Sequence, residues 1–135
     1  MAIQHLSTKL CDYLIRADNG RLSLVGTFNN LVSHQLPVAK SPCGLVVELL
    51  GDEGDPFTIS LEGHGMTLLL AEGEIHQPPT TSEFEQSVMV IQGDVSLLFP
   101  RPGRYYIVVR SGEEVIHATP FGVLHEPLPA PAPAQ

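Results

Sequence analysis

Six histidines, two cysteines and one short acidic run are the residues of this sequence with the most chemical capacity. The run Asp52-Glu53-Gly54-Asp55 offers carboxylate oxygens that calcium favours. Calcium takes roughly six to eight oxygen ligands, so such a loop needs partners from a second segment. Asp94 or Glu113-Glu114 would serve if the fold brought them close. The same four residues also make an ordinary hydrophilic turn, because Asp and Gly favour turn conformations, and that is the expectation. The histidines are His5, His34, His64, His76, His117 and His125. None falls in an H-x-H, H-E-x-x-H or H-x-x-E-H spacing, which would aim two rings at one metal ion. Cys11 and Cys43 lack the paired C-x-x-C spacing of a zinc site. Both sit in apolar runs. They read as two buried, reduced thiols, or as a disulfide if their strands lie side by side.

Nucleophilic and phosphate chemistry find no pattern either. No serine lies in G-x-S-x-G, and neither a P-loop nor a G-x-G-x-x-G is present. Gly63-His64-Gly65 reads as a turn, because no helical pattern follows it to cradle a phosphate. Glu72 with Glu74, and Glu83 with Glu85, share a strand face at i, i+2. That spacing is common on solvated faces and does not by itself make an acid–base pair. No catalytic, cofactor-binding or metal-binding residue is assigned, no cofactor is expected, and the chain reads as a non-enzyme.

The elements that would position these residues are strands. Turn signals recur about every 8–12 residues, the rhythm of a sandwich or barrel. No stretch keeps a helical period. Phe57, Ile59 and Leu61 alternate with Thr58, Ser60 and Glu62. Tyr105, Ile107 and Val109 alternate with Arg104, Tyr106, Val108 and Arg110. Each set marks a half-buried strand. In Lys9–Arg16 the alternation puts Cys11, Tyr13 and Ile15 on a core face. Asp18-Asn19-Gly20 then turns the chain into Arg21–Leu31, where Gly26 suggests a bulge or a close backbone approach. Gly44–Leu50 is a strand with Leu45, Val47 and Leu49 inward. Met66–Ala71 is apolar on both faces apart from Thr67, which fits a central strand or one whose second face is buried elsewhere. Glu83–Gln92 and Asp94–Phe99 are two strands about Gly93, or one strand bulged there. Glu114–Thr119 closes a terminal hairpin, with Phe121–Leu124 as a last edge segment. Ser33–Pro42, Gly51–Pro56 and His76–Ser82 read as loops. The fold class is therefore all-β: a two-sheet antiparallel sandwich of about seven to nine strands.

At 135 residues the chain is the size of one domain. Residues 1–125 are expected to form it, and the Pro/Ala-rich tail 126–135 to be disordered, because alternating Ala-Pro cannot join a ladder. The formal charge is −8, from 15 acidic and 7 basic residues. Phosphate neutralisation needs clustered Lys and Arg, so nucleic acid and anionic membranes are not expected partners. Met1–Leu10 has no apolar signal-peptide core and no run is long enough to span a bilayer, which points to the cytoplasm.

The segment Phe99-Pro-Arg-Pro-Gly-Arg-Tyr105 is the most specific feature. A Pro/Gly turn followed two residues later by an inward Tyr resembles the tyrosine corner of Greek-key sandwiches, whose phenol caps a backbone group; a plain core tyrosine is the alternative. The order of motifs also resembles a family of small uncharacterised bacterial proteins. The matching residues are Cys11-Asp12, then Gly20-Arg21-Leu22-Ser23-Leu24-Val25-Gly26-Thr27-Phe28, then Gly103-Arg104-Tyr105, spanning Leu10 to Leu124. That resemblance implies an immunoglobulin-like or C2-like sandwich with no known activity, and makes Gly26 and Phe28 packing positions. The functional expectation is a non-catalytic binding or scaffold module that meets a protein partner or its own copy. A calcium- or transition-metal-dependent ligand module is the alternative, and an enzyme with a dispersed site a third.

Overall fold

A computed structural model describes residues 3–19, 21–77 and 88–127. Among these residues nine strands form two sheets: β1 (Gln4–Arg16), β2 (Leu22–Phe28), β3 (Asn30–Ser33), β4 (Val38–Leu50), β5 (Pro56–Gly63), β6 (Met66–Glu74), β7 (Met89–Phe99), β8 (Gly103–Ser111) and β9 (Glu114–His125). One sheet has the order β2-β1-β4-β7, the other β3-β9-β8-β5-β6. The chain is all-β and sandwich-like, as its period-two patterning predicts. Every pairing is antiparallel except β3 with β9, which run parallel from Asn30 opposite Gly122 to Ser33 opposite His125. Among the described residues no helix is long and apolar enough to cross a membrane.

The core lies between the inner faces of the two sheets. Leu10, Leu45, Val47, Leu49, Leu97 and Phe99 come from one, and Phe57, Ile59, Leu61, Tyr105, Ile107, Val109, Phe121 and Val123 from the other. The inward sets read in Gly44–Leu50, Phe57–Glu62 and Arg104–Arg110 are all buried. Phe99 stacks on Phe121 at 5.4 Å and meets Tyr105 edge-on at 5.0 Å, which welds the ends of β7, β8 and β9. The Tyr105 hydroxyl donates to the Arg101 carbonyl at 2.7 Å and accepts from the Arg101 N–H at 3.3 Å. This is the tyrosine-corner arrangement, with the phenol fixing the turn four residues upstream.

Several local expectations are corrected. Tyr13 and Ile15 are about half exposed. β1 pairs with β4 only from Gln4 to Cys11, and beyond that with β2 alone. The β1–β2 tip therefore projects past the core, and alternation there carries no burial. The expected Arg21–Leu31 strand is two strands: β2 stays in the first sheet and β3 crosses to the second. The loop read over Ser33–Pro42 ends at Pro37, because β4 already begins at Val38. Pro42 is tolerated inside β4 because the ladder with β7 shifts register between Lys40 and Cys43, where a missing N–H costs no bond. The register is unbroken through Gly93, so β7 is one strand without a bulge there; residues 83–87 lie outside the described residues.

Met66–Ala71 belongs to edge strand β6 and not to a central one. β9 runs on through Pro120 to His125 as one strand. Pro120 fits because β3 starts pairing only at Gly122, leaving β9 without a neighbour on that side. Gly26 makes the close approach expected of it. Its φ is +71°, and a Cβ there would be forced into the Asp12 carboxylate. Of the tail, Glu126 is tied to β3 through its N–H to the Ser33 carbonyl at 3.0 Å; residues 128–135 lie outside the described residues.

Candidate functional site: the outer face of the five-stranded sheet

The second sheet turns one face to the core and one outward, and the outward face exposes several apolar side chains. Antiparallel sheets of this kind normally present polar side chains to water. On β8 the outward residues are Arg104, Tyr106, Val108 and Arg110. Register sets Gly122, Pro120, Ala118 and Val115 of β9 opposite them in that order. On the other side Glu62, Ser60 and Thr58 of β5 stand opposite Tyr106, Val108 and Arg110. Leu69 of the edge strand lies opposite Ser60. Leu69 and Val115 are each more than half exposed, as are Val32 and Leu124, which pair at the far corner.

One ion pair organises the middle of this face. Arg110 stands opposite Thr58, yet its guanidinium reaches back past Ser60 to Glu62. Arg110 Nη2 donates to Glu62 Oε1 at 2.9 Å, and Nη1 donates to Oε2. The Ser60 hydroxyl donates to Oε2 at 2.7 Å. The guanidinium holds the Glu62 carboxyl below the usual carboxylate range, assisted by Ser60, and Glu62 in turn raises Arg110. Val108, between them, is nearly buried although it points outward. Two depressions open here. One of about 410 Å³ is lined by Tyr106, Val108, Arg110, Val115 and Ala118. Another of about 600 Å³ runs along Asn30, Arg104, Pro120, Gly122 and Leu124. Gly122 is required in the second, since a Cβ there would collide with the Asn30 carboxamide.

The residues singled out for metal chemistry are used elsewhere. Glu53 accepts the Gln77 N–H at 2.7 Å and pairs with His76 Nδ1 at 3.0 Å, and these contacts lower its carboxyl pKa. Asp55 accepts the Asp52 N–H at 3.1 Å. Asp94 lies opposite Gly44 in the first sheet, and Glu113-Glu114 at the β8–β9 turn in the second. Among the described residues no three His, Cys, Asp or Glu converge as metal ligands.

The histidines are dispersed. His34 Nδ1 donates to the Glu126 carbonyl at 2.6 Å, and His125 Nε2 to the His34 carbonyl at 3.1 Å. His64 leans on Tyr105, ring centroids 4.9 Å apart. His5 and His117 stack at 4.0 Å, joining β1 to β9.

Cys11 and Cys43 are free and buried, in adjacent strands. Burial pushes the Cys43 thiol up to about 11. Glu72 and Glu74 both point outward from β6, and Glu83 and Glu85 lie outside the described residues. Of the loops, 51–55 is a tight turn whose Gly54 N–H donates to the Ile75 carbonyl at 2.9 Å, and 78–82 lie outside the described residues.

The outer face escaped sequence reasoning, although it left a trace. Tyr106 and Val108 occupy outward positions of the most regular strand, and Met66–Ala71 is apolar on both faces. Alternation identifies which face is core; it does not reveal that outward apolar residues on separate strands lie side by side.

No curated protein matches this chain. A family model described as "Family of unknown function (DUF6941)" matches residues 6–124, which takes in all nine strands apart from the outermost residues of β1 and β9. The chain belongs to this family of unknown function.

Proposed function

We propose that this domain is a non-catalytic protein-binding module that docks through the outer face of its five-stranded sheet. The observation that carries the reading is the set of outward apolar residues Leu69, Tyr106, Val108, Val115 and Ala118, gathered around a satisfied Arg110–Glu62 pair. Contiguous exposed apolar surface rimmed by polar groups is the usual mark of a protein interface. Tyr and Arg at its centre match the composition of such surfaces, where they supply contact area and directed hydrogen bonds. The two reduced, buried thiols fit residence in the cytoplasm.

The reading is tested by placing a photo-crosslinking side chain at Val115 and, as a control, at Thr27 on β2 of the other sheet. Both sites are exposed, so neither replacement disturbs the core. Protein adducts in the host cell from the Val115 site and none from Thr27 are expected. Equal adduct formation at both sites, or none at Val115, overturns the reading.

A further inference from the structure

We infer that the occupant of this face is a second copy of the chain, related by a two-fold axis that sets Arg104 of each copy against Glu72 of the other; this rests on the reading of the face as a docking surface. The first argument is charge. The whole chain carries 15 acidic and 7 basic residues, so most of its surface repels a second copy. The outer face carries both signs, with Arg104 and Arg110 beside Glu62, Glu72 and Glu74. Glu62 and Arg110 neutralise each other across the middle. That leaves one cation and two anions, and neither Arg104 nor Glu72 has an ion-pair partner among the described residues.

The second argument is where those charges sit. Arg104 lies on β8 opposite Gly122, toward the β3 side. Glu72 lies on β6 opposite Thr58, which is itself opposite Arg110 at the other end of β8. The two therefore lie toward opposite ends of the strands, Arg104 on the central strand and Glu72 on an edge strand. Turning a second copy over about an axis lying in that face, midway between them, brings each Arg104 onto the other copy's Glu72. One operation makes two ion pairs, as a closed isologous interface requires. The middle of the face, where Tyr106 and Ala118 flank the Arg110–Glu62 pair, then packs on the same region of the other copy, in the way two sheets stack about 10 Å apart.

The third argument is size. β8 has nine residues and the sheet five strands. At about 3.3 Å per residue and about 4.8 Å per strand the face covers about 700 Å². A stable interface buries about 800 Å² per partner, so the whole face, and little else, is needed.

Sedimentation equilibrium on the full chain decides the matter, with circular dichroism to confirm that each variant is folded. The wild type is expected to be a dimer at about 100 μM, a concentration above the dissociation constants of ordinary interfaces of this size. Arg104→Glu and Glu72→Arg, both at exposed positions, should each weaken association about tenfold or more by placing like charges together. The double variant should recover it, because reversal at both ends restores each pair. A monomeric wild type, single variants that dimerise normally, or a double variant that fails to recover would each overturn the two-fold docking. The photo-crosslinker at Val115 separates this from failure of the broader reading. An adduct twice the chain's mass supports self-pairing. An adduct to a different protein from a monomeric chain leaves a docking face but removes the second copy, and no adduct removes both.

Discussion

Arg110 and Glu62 clasp each other along the outer face although strand register sets Arg110 opposite Thr58 and Glu62 opposite Tyr106. The pair is two-pronged and only partly exposed, so it is held more firmly than a typical surface ion pair. A double-mutant cycle over Arg110→Met and Glu62→Gln should give a coupling energy of about 0.5–1 kcal/mol, read from urea midpoints. A coupling near zero would mean the fork is not kept in solution. The pH dependence has a defined sign. The Glu62 carboxyl is lowered from its ordinary 4.5, so its contribution is complete above that value. It disappears as pH falls through the lower folded value. Glu62→Gln should remove that part of the acid transition.

Tyr105→Phe removes the hydroxyl that both donates to and accepts from the backbone of Arg101. The ring stays buried against Phe99, so packing is unchanged and only the corner is lost. A loss of about 1 kcal/mol is expected, with the Arg101 carbonyl and N–H each losing a partner. Thermal unfolding measures it, and a shift within error of zero would show that the corner is dispensable.

His5 and His117 couple the two sheets through stacked rings, and His5 also hydrogen-bonds the Thr8 hydroxyl at 2.7 Å. Burial, then the neighbouring His117, lowers the His5 pKa below 6.5. The unfolded chain therefore takes up a proton at a higher pH than the folded one. Stability is full above about 6.5 and falls as pH drops below it. His5→Gln should flatten the change in urea midpoint between pH 7.5 and pH 5. An unchanged slope would remove the pair as its source.

Gly26→Ala tests the packing of β1 on β2. Position 26 has φ +71°, and a methyl group there meets the Asp12 carboxylate that Lys40 holds at 2.8 Å. Backbone strain and a displaced ion pair together should cost about 1–3 kcal/mol. Asp12→Ala relieves the clash but not the strain, so Gly26→Ala should be less damaging in that background. Equal damage in both would show that the carboxylate is not what limits the site.

Cys11 and Cys43 should be inert toward a thiol reagent at pH 8 in the native protein, and both should react in denaturant. Each is fully buried, and desolvation raises each thiol above its ordinary pKa, so little thiolate is available. Rapid native labelling would mean that β1 and β4 separate readily.

The sequence by itself determined the secondary-structure class, because period-two alternation at Phe57–Glu62 and Arg104–Arg110 is incompatible with a helix and names the side chains that must face the core. It also pointed to the turn that Tyr105 fastens, since a Pro/Gly bend ahead of an inward tyrosine is a local pattern, but the hydrogen bonds to Arg101 separate a corner from a plain core tyrosine. Tertiary structure alone decided that β3 leaves the first sheet to run parallel to β9, and that Tyr13 and Ile15 stand clear of the core. Burial at a given residue depends on whether a second layer covers it, and no local pattern encodes that. The same holds for the candidate site. Leu69, Tyr106 and Val115 are ordinary residues on three strands, and they become one surface only because pairing sets β6, β5, β8 and β9 edge to edge.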